Sequence, residues 1–348
     1  LRAGGRQSES DSRPLKREMK ERGFRAPANL VARVVEVEVE RREGNRCVKN
    51  YEFLDYGAKS SEADGWNPAA AIKIYAAVSA IERLQELGFK NPDNITVTFH
   101  YDHGNKKFSL EKLFEDAVHW SNNIAHDRMV QLAGFDRLNG KNGTMRRAGL
   151  NSSFIVRAYA KSKWTAEGNS SSLRYAPAIT VQEKTASGKI LLKKRLPAKK
   201  GKTKVDCRRA ACTSLWDLAK MMRALMLHEQ LSPDERLNLG GSRQGSMLKF
   251  LRKRLNRSRR AKGDPVWNNL ERTLLPKQFW GWAKRKPGDP QLFRKSGYSM
   301  KWKSDNFYVM RERGSRTRWI VTIAGYPGPK VINNASKIIA EIIRDNAL

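Results

Sequence analysis

Cysteine is scarce in this chain of 348 residues, which contains only Cys47, Cys207 and Cys212. Three cysteines do not make a disulfide framework, and their spacing lacks the paired C-x-x-C pattern of a zinc site. Cys207 and Cys212 could pair with each other, with two unpaired structural thiols as the alternative. The cysteines therefore predict no metal site and leave one short disulfide as an open alternative.

Long apolar runs are also missing. No stretch approaches the roughly 20 apolar residues that a membrane-spanning helix needs, so no transmembrane helix is predicted. The chain begins at Leu1 and shows no charged segment followed by an apolar one, so we expect a mature or trimmed chain whose signal peptide has been removed. This expectation places the protein outside the cytoplasm, in a periplasm or secreted.

Acidic residues are few relative to basic ones. The 35 Asp and Glu residues face 68 Lys and Arg residues, which gives a formal net charge of +33 at pH 7. Such a charge predicts attraction to polyanions, including nucleic acid, acidic envelope polymers and anionic membrane surfaces. The lysine-rich runs have little aromatic interleaving and no nucleic-acid-binding motif accompanies them. We therefore expect no specific nucleic-acid binding, and anionic wall polymers as partners would explain the charge equally well.

The first part of the chain divides into an arm and a sheet. Residues 1–25 are polar, charged and rich in Gly, Ser and Arg, which predicts a flexible arm ahead of a single domain over residues 26–348. Valines alternate with charged residues from Asn29 to Arg42, as in a half-buried strand. A second strand around Cys47 to Leu54 is predicted to pair with it.

Helices are predicted in the middle of the chain. The strongest has Asn67 as its cap and Pro68 at its first helical position, and its apolar residues recur at helical spacing up to Gly88. Ser109 is predicted to cap the next helix, which ends near Trp120. Residues 139–209 break into short extended pieces and become strongly basic towards their end. This stretch is predicted to be an elaborated, basic surface insertion.

The C-terminal part returns to strands. Apolar alternation over Gln291–Lys295, Phe307–Arg311 and Trp319–Ala324 predicts an antiparallel meander, with turns at Lys303-Ser304-Asp305 and at Arg313-Gly314-Ser315. A final helix is predicted to follow. Strands at both ends of a chain with helices between them predict an α+β fold in which N- and C-terminal strands share one antiparallel sheet packed with helices.

Three short motifs carry side chains suited to acyl transfer. They are Ala70-x-x-Lys73 at the start of the strongest helix, Ser121-Asn122-Asn123 after the next helix, and Lys295-Ser296-Gly297 on a late strand. A serine nucleophile three residues before a lysine would have a base on the same helix face. Ala70 keeps the backbone N–H at the helix start, which could stabilise an oxyanion, but it lacks the hydroxyl.

The five histidines show no ligand pattern with a carboxylate. Surface or capping positions are therefore predicted for them, in preference to a metal site or a catalytic triad.

The order and placement of the three motifs resemble the S-x-x-K, S-D-N and K-T-G set of the β-lactamase and penicillin-binding-protein superfamily of serine hydrolases. The resemblance covers residues 29–348. It implies a β-lactamase or transpeptidase-like fold and acyl transfer on a carboxylate-bearing β-lactam, amide or ester, without metal or cofactor. The site residues that it implies are Lys73 as proton acceptor, Ser121 as relay hydroxyl, Asn123 as donor to the substrate amide, Lys295 and Ser296 for the substrate carboxylate, and the N–H groups of Ala70 and of Tyr298, which follows Gly297, as the oxyanion hole.

The sequence departs from the family pattern at several positions. Ala70 replaces the nucleophile, Asn122 the usual aspartate, and Ser296 the usual threonine. Thr165 aligns with the water-activating glutamate of class A enzymes, and Glu167 lies two residues away. An ordinary class A penicillinase mechanism is therefore not predicted.

Three functions follow as alternatives. The first is a serine hydrolase of the β-lactamase type, of the class involved in antibiotic resistance, with its nucleophile exchanged for alanine by a deliberate change or by natural loss. The second is a non-catalytic protein that binds an acidic peptide or a cell-wall fragment through Asn123, Lys295 and Ser296. The third is a polyanion-binding protein that uses the basic insertion and the cluster from Arg252 to Lys262.

Overall fold

The computed structural model describes residues 13–25, 27, 29–57, 66–160, 172–239, 246–255, 265–280, 289–299, 302–312, 314–325 and 329–346. The chain divides into two compact units, of which the first comprises Leu1–Ala71, Thr213–Arg236 and Asn256–Leu348, and the second Ile72–Cys212 and Leu237–Leu255. No helix in the described ranges is long and apolar enough to cross a bilayer.

The first unit is built on one antiparallel sheet. Its strands are β1 (Val31–Arg42), β2 (Asn45–Gly57), β11 (Gln291–Arg294), β12 (Gly297–Ser299), β13 (Trp302–Met310) and β14 (Thr317–Gly325). The order is β11-β13-β14-β1-β2, with β12 paired to β13. Val34 of β1 lies opposite Val321 of β14 and Leu54 of β2. Strands from both ends of the chain thus share one sheet, which confirms the predicted α+β architecture.

Helices pack against this sheet within the first unit. They are α1 (Arg13–Glu21), α7 (Leu215–Met226), α9 (Pro265–Leu274) and α10 (Pro329–Asp345). The main apolar core joins sheet residues such as Val34, Phe307 and Val321 to Leu270 and Ile339 from the helices. Helix α7 begins at a sequence-encoded cap, since the Ser214 hydroxyl accepts a hydrogen bond from the Asp217 N–H.

Helix α1 corrects part of the predicted arm. Leu15 and Met19 lie one helical turn apart on α1, and both are fully buried in the core of the first unit. The surrounding charged residues lower the mean hydropathy of this stretch, but two apolar side chains at i and i+4 are enough to dock one helix face. Residues 13–25 are therefore not a flexible arm, and residues 1–12 lie outside the described residues.

The predicted turn at Lys303-Ser304-Asp305 is wrong, because all three residues lie within β13. Asp305 is fully buried and accepts two hydrogen bonds of 2.8 Å from the Arg294 guanidinium on β11. Buried polar groups are tolerated where they find partners of this kind. The composition of this polar triplet favours a turn. The cross-strand partner that makes it a strand is distant in sequence and is not visible locally.

The second unit combines a helical cluster with a smaller sheet. Its longer elements are α2 (Lys73–Glu86), β3 (Ile95–Tyr101), β4 (Gly104–Ser109), α3 (Leu110–Phe114), α4 (Asn123–Ala133), α5 (Phe135–Asn139), α6 (Thr144–Arg147), β7 (Ala178–Lys184), β8 (Ile190–Leu196) and α8 (Ser246–Leu255). The strand order is β4-β3-β7-β8. Helix α2 is almost wholly buried. Its Glu82 carboxylate accepts hydrogen bonds from the Thr144 hydroxyl and the Arg147 guanidinium.

The predicted insertion over residues 139–209 contains part of this sheet. Strands β7 and β8 extend the β3–β4 hairpin, and the described part of the stretch also contains three short strands: β5 (Phe154–Ile155), β6 (Tyr175–Ala176) and β9 (Lys199–Lys200). A further short strand, β10 (Ala211–Cys212), pairs with β5. The short extended pieces that the sequence predicts are present, and the longest of them belong to the main sheet of the second unit.

Cys207 and Cys212 form a disulfide, which decides between the two alternatives that the sequence leaves. Cys47, on β2, is a free thiol.

We expect the denatured, unreduced protein to react with one equivalent of a thiol reagent and the reduced protein with three. The mass shift after maleimide labelling measures both values. Three reactive thiols before reduction would show that the bridge does not form.

Candidate active site

The segment that carries Ala70 begins with a tight cap. The Asn67 side-chain oxygen accepts a hydrogen bond of 3.0 Å from the Ala69 N–H. Ala69 has a φ of 45°, in the left-handed region. A 3-10 helix over Ala69–Ile72 follows and continues directly into α2. The cap at Asn67 agrees with the prediction. Pro68 is predicted at the first helical position, but the helix begins one residue later, at Ala69.

Gly297 allows β12 to approach this segment closely within the first unit. A Cβ atom placed on Gly297 would lie 2.2 Å from the Pro68 carbonyl oxygen and 2.8 Å from the Ala70 nitrogen. The Ser304 hydroxyl on the neighbouring strand β13 donates a hydrogen bond of 2.7 Å to the same Pro68 oxygen. The backbone of Ala70 is therefore next to the start of β12, and glycine is the only residue that fits at position 297. Lys295 and Ser296, predicted to lie on a strand, lie in the connection between β11 and β12.

The other residues of the late motif flank this contact. The Lys295 side chain is 5% exposed, its backbone N–H donates to the Asn306 carbonyl, and its ammonium group donates a 3.0 Å hydrogen bond to the Ser296 carbonyl. Tyr298 lies on β12 with 60% of its surface exposed. The first unit thus holds the Lys295 ammonium group beside the backbone at the start of β12. A cation in this position is suited to binding a carboxylate.

Lys73 lies in the second unit and is fully buried. Its ammonium nitrogen donates to the Ser121 carbonyl oxygen at 2.5 Å and to the Asn123 side-chain oxygen at 2.6 Å. The Tyr159 ring centroid is 5.8 Å from the same nitrogen. A buried ammonium group needs hydrogen-bond acceptors of this kind to offset its loss of hydration. Three residues that the sequence singles out, Lys73, Ser121 and Asn123, are therefore in direct contact.

Local backbone geometry explains how Ser121 and Asn123 reach Lys73. The predicted helix from Ser109 divides into α3 and one π-helical turn over Glu115–His119. Ser121 then has a φ of 57°, which is uncommon for a serine. Asn122 caps α4 by accepting a hydrogen bond from the Ala125 N–H at 2.9 Å. Departures of this kind from regular geometry occur often at functional sites.

Sequence reasoning missed two residues around Lys73. The buried Asp127 carboxylate accepts hydrogen bonds from the backbone N–H groups of Tyr159, at 2.9 Å, and Ala160, at 3.0 Å. The Asn123 amide donates to the Tyr159 carbonyl oxygen at 3.3 Å. Burial, and to a lesser extent the charge of Asp127, raise the pKa of the Tyr159 phenol, so this hydroxyl stays neutral. Asp127 thus fixes the backbone of Tyr159 and Ala160 beside the Lys73 cluster.

Other predicted features have different outcomes. The prediction of surface or capping positions is wrong for His126 and His228, which are buried. It fails because neutral imidazole is compatible with a protein interior. Within the described part of the chain, no three His, Cys, Asp or Glu residues form a group suited to a metal ion. Thr165 and Glu167, which bear on the deacylation mechanism, lie outside the described residues.

Comparison with solved structures identifies the fold. PBP-A matches with a TM-score of 0.54 and 14% identity, over 98% of this chain and 100% of that one. A β-lactamase from Burkholderia vietnamiensis matches with a TM-score of 0.51 and 13% identity, over 96% of this chain and 95% of that one. A β-lactamase from Xanthomonas campestris pv. campestris matches with a TM-score of 0.52 and 14% identity, over 95% of this chain and 96% of that one.

A variant of PBP-A solved as an acyl-enzyme complex with penicillin G is also similar, with a TM-score of 0.52, 15% identity and coverage of 95% of this chain and 96% of that one. No family model matches the sequence, and no curated protein matches it. The structural matches span nearly the whole chain in both directions. The chain therefore has the fold of serine β-lactamases and penicillin-binding proteins.

Proposed function

We propose that this protein is a β-lactamase-like acyl-transfer protein whose nucleophile position is occupied by Ala70. The observation that carries the proposal is the cluster in which the fully buried Lys73 contacts Ser121 and Asn123. Lys73 lies three residues after Ala70, where the base of a serine nucleophile would be required. The fold shared with β-lactamases and PBP-A supports the proposal.

Each residue has a proposed role. In its deprotonated form Lys73 accepts the proton of a residue-70 hydroxyl, Ser121 relays the proton to the leaving group, and Asn123 donates its remaining N–H to the substrate amide. Lys295 and Ser296 bind the substrate carboxylate. The N–H groups of Ala70 and Tyr298 stabilise the oxyanion, and the close packing of Gly297 on Pro68 and Ala70 supports this role because it fixes the backbone there.

A second candidate follows from Ala70 itself. A methyl group has no lone pair to attack a carbonyl, so the chain with alanine has no atom at this position that could be acylated. With the remaining groups in place, the protein would bind a β-lactam, an acidic peptide or a wall fragment without forming a covalent bond. The binding-protein function therefore uses the same residues and differs only in chemistry.

We also propose an extracytoplasmic location, with anionic envelope polymers as the surrounding polyanion. The disulfide between Cys207 and Cys212 supports this location because disulfides persist in oxidising compartments and are rare in reducing ones. The net charge of +33 supports attraction to acidic polymers.

Ala70→Ser tests the acyl-transfer proposal. The substitution adds one oxygen at a half-buried position, so we expect the fold to be retained and a fluorescent penicillin to label the protein covalently. The parent chain should show no label. Ala70→Gly, which changes the same position without adding a nucleophile, is the matched control and should also remain unlabelled.

The labelled Ala70→Ser protein then separates the candidates. Label that persists would indicate a penicillin-binding protein with slow deacylation, and rapid hydrolysis of a chromogenic cephalosporin would indicate a β-lactamase. Absence of label, in a variant that still melts cooperatively, would reject acyl transfer and favour the binding protein.

A further inference from the structure

Two large apolar side chains of the second unit are exposed at one hairpin tip. Ile190 and Leu191 begin strand β8 and are 48% and 59% exposed. Apart from Tyr298, they are the large hydrophobic residues with the greatest exposure in the described part of the chain. Isolated exposed apolar residues are common, but two consecutive ones beside a hairpin turn are consistent with a surface that becomes covered.

The same hairpin carries five cations. They are Lys184, Lys189, Lys193, Lys194 and Arg195. None of the five pairs with a carboxylate in the described residues. No acidic residue occurs from residue 184 to residue 196, and the adjacent Glu183 is buried, where it accepts hydrogen bonds from the backbone N–H groups of Lys90 and Asn91. The apolar pair is therefore surrounded by uncompensated positive charge.

The hairpin is a preformed structure. Its turn is closed by a hydrogen bond of 2.8 Å from the Thr185 N–H to the Lys189 carbonyl, and the Lys189 N–H donates to the Thr185 hydroxyl at 3.1 Å. Gly188 has a φ of 86°, which the turn requires and which glycine adopts without strain. Strand β7 is paired in turn with β3. The tip would thus bind a partner with little loss of conformational entropy.

Three partners are compatible with an exposed strand, and the residues favour one of them. Strand β8 lies at the edge of its sheet, but a row of lysines on an edge strand opposes pairing with a second copy of the chain. A soluble polyanion would use the cations and leave the apolar pair without a role. An anionic bilayer uses both, because apolar side chains enter the boundary between headgroups and acyl chains while cations contact the phosphates.

We propose that the β7–β8 hairpin docks the protein on anionic lipid bilayers, with Ile190 and Leu191 inserted into the interface and the surrounding lysines and Arg195 bound to lipid phosphates. This docking is peripheral and involves no membrane-spanning segment. It is independent of the proposed acyl-transfer site, so either proposal can fail without the other.

Co-sedimentation of the full chain with vesicles tests the proposal. We expect binding to vesicles of mixed phosphatidylcholine and phosphatidylglycerol, and none to phosphatidylcholine alone. Replacing both apolar residues, Ile190→Ser with Leu191→Ser, should lower the partition coefficient about 10-fold, because the apolar area that leaves water on docking is lost. Both positions are exposed, and an unchanged melting temperature would confirm that the fold is intact.

Charge variants provide the matched comparison. Lys193→Gln with Lys194→Gln should weaken vesicle binding roughly 25-fold at low salt, since each cation near an anionic surface contributes about a 5-fold effect. Lys106→Gln with Lys107→Gln removes the same charge from β4, the opposite edge of the same sheet, and should change binding less than about 3-fold.

Several outcomes would overturn the proposal. Vesicle binding that is unchanged by the two serine substitutions would show attraction by charge alone. An equal loss in the β4 and β8 charge variants would show that no specific surface is involved. A soluble polyanion would be the partner if polyphosphate binds as tightly as the vesicles and the serine substitutions change neither interaction. Absence of binding to anionic vesicles would reject docking altogether.

Discussion

In a protein that carries Ala70→Ser, replacing Lys73 with methionine is expected to slow acylation by penicillin about 10²- to 10⁴-fold. This is the range that a positioned general base contributes. Methionine matches the length and apolar stem of lysine, but it cannot accept the hydroxyl proton. It also cannot donate to the Ser121 carbonyl and the Asn123 side chain, which lie 2.5 Å and 2.6 Å from the lysine nitrogen.

The time course of fluorescent-penicillin labelling measures this effect. Ser79→Ala in the same Ala70→Ser background is the matched control, because Ser79 is a buried residue of α2 whose hydroxyl contacts Thr144 instead of the Lys73 cluster. Ser79→Ala should cost about 1 kcal/mol of stability and leave the labelling rate unchanged. If the Lys73→Met protein is folded and is labelled as fast as its parent, Lys73 is not the proton acceptor.

Gly297→Ala is expected to lower the free energy of unfolding by at least about 3 kcal/mol, which is large for the addition of one methyl group. The new Cβ would lie 2.2 Å from the Pro68 carbonyl oxygen and 2.8 Å from the Ala70 nitrogen, and both are backbone atoms that move only if a strand or a helix start moves. In the Ala70→Ser background the same substitution should also reduce labelling, because it displaces the backbone N–H proposed for the oxyanion hole.

Urea unfolding followed by circular dichroism measures the loss of stability. Gly44→Ala is the control, since Gly44 has a φ of 79° and no atom within 4 Å of the position that an added methyl group would take. Its cost of about 1–2 kcal/mol therefore comes from backbone conformation alone. Equal unfolding midpoints for the two alanine variants would contradict the steric argument at Gly297.

The sheet of the first unit could be predicted because its pattern is strong. Alternation from Asn29 to Arg42 and again over Trp319–Ala324 identifies half-buried strands, and the structure pairs them directly as β1 and β14. The caps at Ser109 and Asn67 are also local signals, since a short polar side chain accepts a hydrogen bond from an N–H two or three residues later.

The elements that were mispredicted depend on partners that are distant in sequence. Helix α1 has two core residues among charged ones, and its stability comes from the core that Leu15 and Met19 enter. The polar residues of β13 resemble a turn until Arg294 is found opposite Asp305. Local composition records neither partner, so a sequence-based prediction favours an arm in the first case and a turn in the second.

The candidate site shows the same division. The motif spacing identified Lys73, Ser121 and Asn123, which are in contact in the structure. Asp127 lies four residues after Asn123 on α4, a spacing that places the two on one helix face and could have drawn attention to it. Tyr159 gives no such signal, because it lies in an irregular stretch and its contacts with Asn123, Asp127 and Lys73 join residues that are distant in sequence.

The position of β14 between β13 and β1 has a consequence for biosynthesis on the ribosome. The β1–β2 hairpin emerges before the second unit is translated, whereas its neighbour β14 emerges only after it. Most of the second unit is a continuous piece of chain and can begin to fold in the interval. Until β14 has been translated, the edge of β1 that pairs with it is open, so we expect the nascent chain to need a chaperone there and termination before Thr317 to yield aggregates.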